Sequence, residues 1–406
     1  MRSVVVVAFT AFAAAIAHAE DAPVAVTLAD VLAATGTAPA SQVWRHEIEA
    51  ADALVDAASA WPDPSLRVET NRLTARLVAG AVVPLPVFGT VGAARRVAAA
   101  QARAVRSEAI VSDRDVRRRA IAAWISLARA DGEIVATALA ATQAAELERV
   151  AVGRLDAGVG AEVDVTTARA ARARAERAAA SAKRAQQAAS ADLAGVLGWD
   201  PMTAMVSAGD LPGSTSITFE ELRARLPAHP ERTLAQRKVA AADATIRQVR
   251  RQALPSLAVE AQVSAFDPTT PGTDVFVALS LALPLFARTG DRARSARATA
   301  TAERARLAVT ETQLAGGLVA AYRRWQAAAE TLAALENDVI PAQERAAALS
   351  RQAYREGARD LVSALQADRD LSAVRAEVIT ARADVATAWA ALQDAAGDDL
   401  GGLGAN

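Results

Sequence analysis

The stretch Ala50-Ala51-Asp52-Ala53 recurs as Ala241-Ala242-Asp243-Ala244, at an offset of 191 residues. Pro64-Ser65-Leu66 recurs as Pro255-Ser256-Leu257 at the same offset. The aligned segments are 27–69 and 218–260. This period is far too long for a solenoid repeat. The sequence therefore predicts two structurally similar halves, 20–215 and 216–396, that fold as one unit.

The composition excludes several classes of protein. The chain has 406 residues and a formal net charge of -1, so it has no basic excess to bind nucleic acid. It has no cysteine, which excludes disulfides, thiolate metal sites and a cysteine-linked lipid anchor. Alanine and arginine are abundant, and this composition favours long helices.

The N-terminus has the pattern of a secretory signal peptide over residues 1–19. Arg2 precedes the apolar run Val4–Ile16, and Ala17-His18-Ala19 fits a cleavage site that leaves Glu20 first in the mature chain. The run is too short to cross a bilayer as a helix, and no other stretch of about 18 apolar residues follows. We therefore expect an exported protein without a transmembrane helix. The glycine-rich tail, 397–406, is expected to be flexible.

Each half begins with a capping box and continues to a predicted β-hairpin. Thr27 precedes Asp30, and Thr218 precedes Glu221, at the spacing of reciprocal N-caps. The hairpins are predicted over about 65–86 and about 256–284, where apolar residues alternate with others. Their strands are about nine or ten residues long, which is enough to cross a bilayer when tilted.

The rest of each half is helical. The pattern predicts helices over about 91–157 and 163–197 in the first half, and over about 291–357 and 361–396 in the second, with an interruption at Pro341. Glycine turns separate the members of each pair. Helices of this length pack side by side as coiled coils rather than around a globular core.

Four strands cannot close a membrane barrel, since known barrels begin at about eight strands, and open sheet edges are not tolerated in lipid. Three copies of the chain would supply twelve strands. The predicted fold is therefore mainly α with a small β part: two repeats, each a long helical hairpin plus a β-hairpin. As a homotrimer, they would form a closed 12-stranded β-barrel continued by the helices as an α-helical coiled-coil barrel.

Two turn motifs carry a family resemblance. They are Arg154-x-x-x-Gly158-x-x-Ala161-x-x-Asp164 and Tyr354-x-x-Gly357-x-Arg359. With the ordered Pro-Ser-Leu strand starts and the strand end Pro284-Leu285-Phe286, the chain resembles the TolC-like outer membrane efflux proteins. The shortness of the chain is more similar to the heavy-metal (CzcC/CusC-like) branch. Many relatives carry a lipidated cysteine, which this chain lacks.

The resemblance implies a trimeric exit duct of a tripartite efflux system, expected to be of the RND type. The duct would lie in the outer membrane of a Gram-negative cell, contact its lipid, and have a large periplasmic part. Its partners would be further copies of itself, a periplasmic adaptor (membrane fusion) protein and, indirectly, an inner-membrane pump. Heavy-metal cations are the substrate that the branch suggests; drug efflux and type I secretion are the alternatives.

The resemblance also assigns roles to residues near the turns. Asp164, Tyr354 and Arg359 would form the links that close a periplasmic gate. Gly158 and Gly357 would dock the adaptor. The family's acidic constriction falls on Ser363 and Gln366, which are neutral here, so Asp360 becomes the acidic candidate for the pore constriction. For Asp360, Asp368 and Asp370, a solvated helix face is the simpler interpretation.

No enzyme is expected. No His/Cys/carboxylate spacing indicates a metal site, and no glycine-rich loop indicates nucleotide or another cofactor. His46 and His229 are far apart in sequence. The alternative from another class is a soluble periplasmic coiled-coil protein that serves as a spacer.

Overall fold

A computed structural model describes residues 23–71, 76–213, 217–265, 272–283 and 289–398. The predicted signal peptide, the Pro284-Leu285-Phe286 strand end and most of the predicted tail lie outside these ranges. The first repeat contains β1 (Val24–Thr27), α1 (Leu28–Thr35), α2 (Pro39–Ser59), β2 (Ser65–Asn71), β3 (Arg76–Leu85), α3 (Thr90–Asp156) and α4 (Glu162–Leu197).

The linker and the second repeat follow the same order of elements. They contain β4 (Met205–Ala208), α5 (Phe219–Arg223), a 3-10 turn (Leu226–Ala228), α6 (Pro230–Gln252), β5 (Ser256–Ala265), β6 (Asp274–Ala282), α7 (Thr289–Ala334), a π-helical turn (Leu335–Val339), α8 (Ile340–Arg355) and α9 (Leu361–Ala396). The predicted class, mainly helical with a small β part in two repeats, is confirmed.

Both predicted capping boxes are formed. Thr27 Oγ1 accepts the Asp30 N–H at 3.2 Å, and the Asp30 carboxylate accepts the Thr27 N–H at 3.0 Å. Thr218 and Glu221 make the same exchange at 3.3 and 2.8 Å. The two helices begin at equivalent points because the same local chemistry satisfies their first N–H groups.

The two hairpins join in one antiparallel sheet with the order β2-β3-β5-β6. One row of paired residues crosses all four strands. Leu66 of β2 lies opposite Ala81 of β3, Ala81 lies opposite Ala261 of β5, and Ala261 lies opposite Val277 of β6. Side chains in one such row share a face. The register places one apolar set on this face: Leu66, Val68, Ala79, Ala81, Val83, Leu85, Leu257, Val259, Ala261, Val263, Val275, Val277, Leu279 and Leu281.

This apolar face is uncovered within the chain. Leu66 is 85% exposed and Val275 is 72% exposed. The opposite face carries most of the polar residues of the sheet, including Arg67, Gln262 and Ser280, together with Val78, Val82 and Phe276. The sheet therefore has one face suited to an apolar environment and one suited to water, and the outer edges of β2 and β6 have no strand partner in the described chain.

The first helical hairpin is regular. Helix α3 has 67 residues, which corresponds to about 100 Å at ~1.5 Å per residue. It packs against α4 along most of the length of α4. The sheet adjoins the start of α3 and the glycine turn follows its end, so sheet and turn lie about 100 Å apart.

The second hairpin differs in one place. An interruption was predicted at Pro341, but the helix continues through this residue. The preceding turn widens to a π-helical turn, Leu335–Val339, in which the Ile340 N–H donates to the Leu335 carbonyl. Proline has no N–H to donate to the carbonyl four residues before it. The wider turn accommodates the missing hydrogen bond, so the helix continues through the proline without a break.

Three ion pairs join the second hairpin across its helices. Arg351 Nη1 lies 2.5 Å from Asp368 Oδ1, Arg375 Nη2 lies 2.9 Å from Glu344 Oε1, and Arg382 Nη2 lies 2.7 Å from Glu336 Oε1. On α9, the three paired residues follow one another at intervals of seven residues. On the facing segment, their partners follow at intervals of seven and eight residues, and the longer interval includes the π-helical turn. The extra residue in that turn therefore keeps the ion-pair register.

The Arg351–Asp368 pair is expected to be the strongest of the three. Burial raises the pKa of Asp368, and the Arg351 guanidinium opposes that rise. Arg351→Met should cost about 3 kcal/mol, because it leaves a largely buried carboxylate unpaired. Arg375→Met should cost no more than about 1 kcal/mol, since Glu344 is half exposed.

Thermal unfolding followed by circular dichroism would measure this difference. Asp368→Asn in the Arg351→Met background should recover most of the loss, because the amide carries no charge. Equal losses in the two single variants would contradict the assignment.

The main core lies where the two repeats meet, between the sheet and the turns. Strands β1 and β4 pair in parallel there, so the linker between the halves is tied to the start of the described chain. The buried Trp124 donates its indole N–H to the Val26 carbonyl at 2.9 Å. Asp131 Oδ2 accepts both the N–H and the hydroxyl of Ser207 at 2.7 Å.

His229 closes the same region from the second repeat. Its side chain is buried, and its Nδ1 accepts the Glu231 N–H at 3.2 Å, which caps α6. Its Nε2 then lies 3.2 Å from the Asp394 carbonyl near the end of α9. Burial lowers the pKa of His229, and the nearby Arg114 lowers it further, against the opposing influence of Asp394 and Glu231.

His229 should make stability depend on pH in a predictable direction. Since its folded pKa lies below 6.5, the unfolded chain binds a proton that the folded chain does not. The free energy of unfolding should therefore fall as pH drops through 6.5 towards the folded pKa. His229→Asn should flatten this dependence in thermal melts between pH 7.5 and pH 5, whereas His46→Asn, at an exposed position, should not. An unchanged slope in His229→Asn would contradict the prediction.

Within the described ranges, no helix combines the length and the hydropathy needed to cross a bilayer.

Candidate functional site at the helical turns

The two turns between the long helices have the same backbone geometry. In the first, Gly158 has a φ of 73° and donates to the Leu155 carbonyl at 2.9 Å, while Val159 donates to the Arg154 carbonyl at 3.0 Å. In the second, Gly357 has a φ of 76° and donates to Tyr354, and Ala358 donates to Ala353. Both are Schellman motifs, which need glycine in the left-handed region.

A small core lies beside the turns and joins all four helices. Its buried members are Leu147, Ala151, Val165, Ala168, Tyr354, Leu361, Ala364 and Leu365. They come from α3, α4, α8 and α9, so the two turns belong to one packed unit. The small side chains allow close approach of the helices.

Tyr354 lies in this core with its ring buried. Burial raises the pKa of the Tyr354 hydroxyl, and the Asp164 carboxylate adds to that rise, whereas the Arg154 guanidinium acts against it. Tyr354 Oη is buried without a hydrogen-bond partner in the described part of the chain. The structure thus brings Tyr354 and Asp164 near each other without joining them.

Arg359, the third predicted gate residue, lies apart from these two. Its side chain is exposed, and no hydrogen bond or ion pair joins it to Asp164 or Tyr354 among the described residues. It stands between the turn glycine and the start of α9, where it faces outward. One protomer therefore assembles two of the three predicted gate residues.

The predicted constriction residues lie along the start of α9. Asp360 is the N-cap of that helix: its carboxylate accepts the Ser363 N–H at 3.3 Å and also the Ser363 hydroxyl. The Ser363 hydroxyl bond lowers the pKa of Asp360, and burial opposes it. Gln366 Nε2 donates to Asp370 Oδ1 at 2.8 Å. Asp360 keeps its charge exposed while it caps the helix.

The prediction for Asp368 was wrong. A solvated face was expected, but its side chain is 12% exposed and pairs with Arg351. Asp368 and Leu361 are two turns apart on the same face of α9, and Leu361 belongs to the small core beside the turns. Asp368 therefore points between α8 and α9, where Arg351 of α8 supplies the cation that bonds it directly.

Arg154 was identified in the turn motif but not as a contact between the turns. Its Nη1 donates to the Tyr354 carbonyl at 3.1 Å, and its Nη2 donates to the Val159 carbonyl at 3.4 Å. Its guanidinium carbon lies 5.3 Å from the Tyr354 ring centroid. The Arg-x-x-x-Gly spacing places the arginine in the last turn of α3, but spacing alone does not reveal which carbonyls it reaches.

Across the described ranges, no three His, Asp or Glu side chains cluster in a way that could hold a metal ion. The residues near the turns can form hydrogen bonds and ion pairs that hold the two turns together.

The sequence of this chain is similar to a known protein family and to a curated protein. A family model described as "Outer membrane efflux protein" matches residues 230–398, most of the second repeat. The curated protein "Outer membrane efflux protein BepC" from Brucella suis biovar 1 (strain 1330) is 27% identical over 270 residues, which cover 63% of this chain. The match spans 58% of the length of that relative.

Solved structures share the fold over nearly the whole chain. The outer-membrane channel OprN superposes with a TM-score of 0.77 at 21% identity, covering 92% of this chain and 90% of OprN. CusC superposes with a TM-score of 0.78 at 14% identity, covering 92% of each chain. These likenesses show a shared fold. The family-model match and the BepC relative confirm the resemblance to TolC-like outer membrane efflux proteins that the two turn motifs indicated.

Proposed function

We propose that this chain, a TolC-like outer membrane efflux protein, is the exit duct of a tripartite efflux system of the RND type. It would pass substrates from the periplasm to the outside. The observation that carries the proposal is the separation of two specialised ends. An amphipathic sheet lies about 100 Å along α3 from a pair of matched, packed helical turns.

The sheet end is proposed to lie in the outer membrane. Its apolar face is exposed in the single chain, and β5 and β6 have ten and nine residues, which suits a tilted crossing. The edges of β2 and β6 would pair with neighbouring copies. Three copies would supply twelve strands, with the apolar face towards lipid and the polar face towards the lumen.

The turn end is proposed to be a periplasmic gate made by Asp164, Tyr354 and Arg359. The buried Tyr354 hydroxyl lacks a partner within the described chain and has the Asp164 carboxylate of the same protomer nearby. Arg359 faces outward, so its bonding capacity is left for the assembled trimer. Such links are modest when wet, which suits a gate that must open. Asp360 would supply an acidic side chain at the proposed constriction, beside the neutral Ser363 and Gln366.

The turns at Gly158 and Gly357 are proposed to dock a periplasmic adaptor protein, and an inner-membrane pump would energise transport. Heavy-metal cations are the substrate class to which the short chain points. The rival spacer function does not account for the exposed apolar face of the sheet, since a protein that stays in water would bury it.

Deletion of the gene in its own host would test the function. We expect the mutant to become sensitive to divalent metals such as zinc or copper, and plasmid-borne wild type to restore growth. Sensitivity to dyes and detergents instead of metals would support drug efflux, and loss of a secreted protein would support type I secretion. Unchanged tolerance and secretion, with the protein in the soluble periplasmic fraction, would contradict the duct.

A further inference from the structure

The Arg154 side chain joins the two turns directly. Its two terminal nitrogens reach a carbonyl in each turn: Val159 in the first and Tyr354 in the second. The Tyr354 carbonyl also accepts the Gly357 N–H at 3.0 Å. Because carbonyls at a helix C-terminus carry the negative end of the helix dipole, a guanidinium is a favourable partner there.

The second turn is shaped to receive this side chain. A Cβ built on Gly357 would lie 3.1 Å from Arg154 Nη1 and 3.3 Å from Nη2, closer than side chains normally approach. The Tyr354 ring covers the guanidinium from another side at 5.3 Å. Gly357 therefore suits the φ of 76°, and it also lets Arg154 approach without having to shift.

The two hairpins that Arg154 joins are unequal. Helix α3 is regular over its 67 residues, whereas the helix leading to the second turn contains the π-helical turn Leu335–Val339. A π-helical turn is a common site of bending. A contact between the turns therefore holds the more deformable hairpin against the more regular one.

We propose that Arg154 is a positioning residue that fixes the second turn against the first, so that Tyr354 stays where it can meet Asp164. This inference rests on the proposed gate. It adds a contact that closes no gate bond itself and holds the two turns in register. The planar guanidinium of arginine can donate to both carbonyls at once. A lysine ammonium, on its flexible stem, would hold two carbonyls less well.

The absence of cysteine allows a direct test by spin labelling. Val159→Cys and Val362→Cys would carry the labels, since both side chains are more than half exposed. Labelled protein, diluted with unlabelled copies, would be measured by double electron–electron resonance. We expect a narrow distance distribution in the parent, a clearly broader one in Arg154→Met, and an intermediate one in Arg154→Lys.

Arg149→Met is the matched control, because Arg149 pairs with Glu146 on the same helix near the same turn. It should leave the distribution narrow. Single-channel conductance would be recorded on the same variants, with an increase of severalfold expected for Arg154→Met alone.

An unchanged distance distribution in Arg154→Met would overturn the inference, whatever the conductance. A broader distribution in Arg154→Lys than in Arg154→Met would also overturn it. If the distribution broadens as expected but no variant or parent conducts, the inference stands and the proposed duct fails.

Discussion

Leu279→Arg is expected to prevent accumulation of the protein in the outer membrane, whereas Ser280→Arg is expected to be tolerated. Leu279 lies on the apolar face of β6 and is 65% exposed. An arginine on a lipid-facing strand costs about 2–4 kcal/mol near the middle of the bilayer. A trimer would incur this cost three times.

Ser280 makes a matched control because it is the next residue on the same strand and points to the polar face, with its hydroxyl donating to the Ala258 carbonyl at 3.4 Å. Immunoblots of separated membrane fractions would measure the amount, and native gels the assembly. Equal tolerance of both variants would mean that the apolar face does not meet lipid.

The double variant Asp164→Ala, Arg359→Ala is expected to raise the single-channel conductance severalfold, because it removes two of the three proposed gate groups. Each wet link should contribute on the order of 1 kcal/mol, so the single variants should open the gate less. Planar-bilayer recordings on purified protein would measure the change.

Tyr354→Phe separates the gate from packing. It keeps the buried ring and its contact with Arg154, and it removes only the hydroxyl, which has no partner within the described chain. We expect it to raise conductance without lowering the melting temperature. Arg169→Ala, which removes an exposed guanidinium paired with Glu148 across the first helical hairpin, is the control for lost surface charge. Conductance that stays at the parent value in the double variant would contradict the gate.

Local signals in the sequence predicted the features that depend on a few neighbouring residues. The capping boxes at Thr27 and Thr218 follow from a hydroxyl and a carboxylate three residues apart. The turns at Gly158 and Gly357 follow from glycine after a long helical pattern. The repeat itself then indicated that both halves contain these features.

Contacts between distant segments could not be predicted in the same way. Strands β1 and β4 have four residues each and lie about 180 residues apart, so neither carries a pattern that names its partner. In the sequence, Asp368 has the pattern of an ordinary charge on a solvated helix face, whereas in the structure it is buried against Arg351. Arg154 had a motif, but its partners are backbone carbonyls, which leave no trace in the sequence.

The central claim is that three copies of this chain form one duct with its sheet in the outer membrane. The most direct measurement is the mass and shape of the detergent-extracted protein, by light scattering and negative-stain electron microscopy. The account predicts a trimer with threefold symmetry and a helical rod of about 100 Å extending from the detergent-covered end. A monomer or dimer that extracts without detergent would contradict it, and the gate at the helical turns would be contradicted with it.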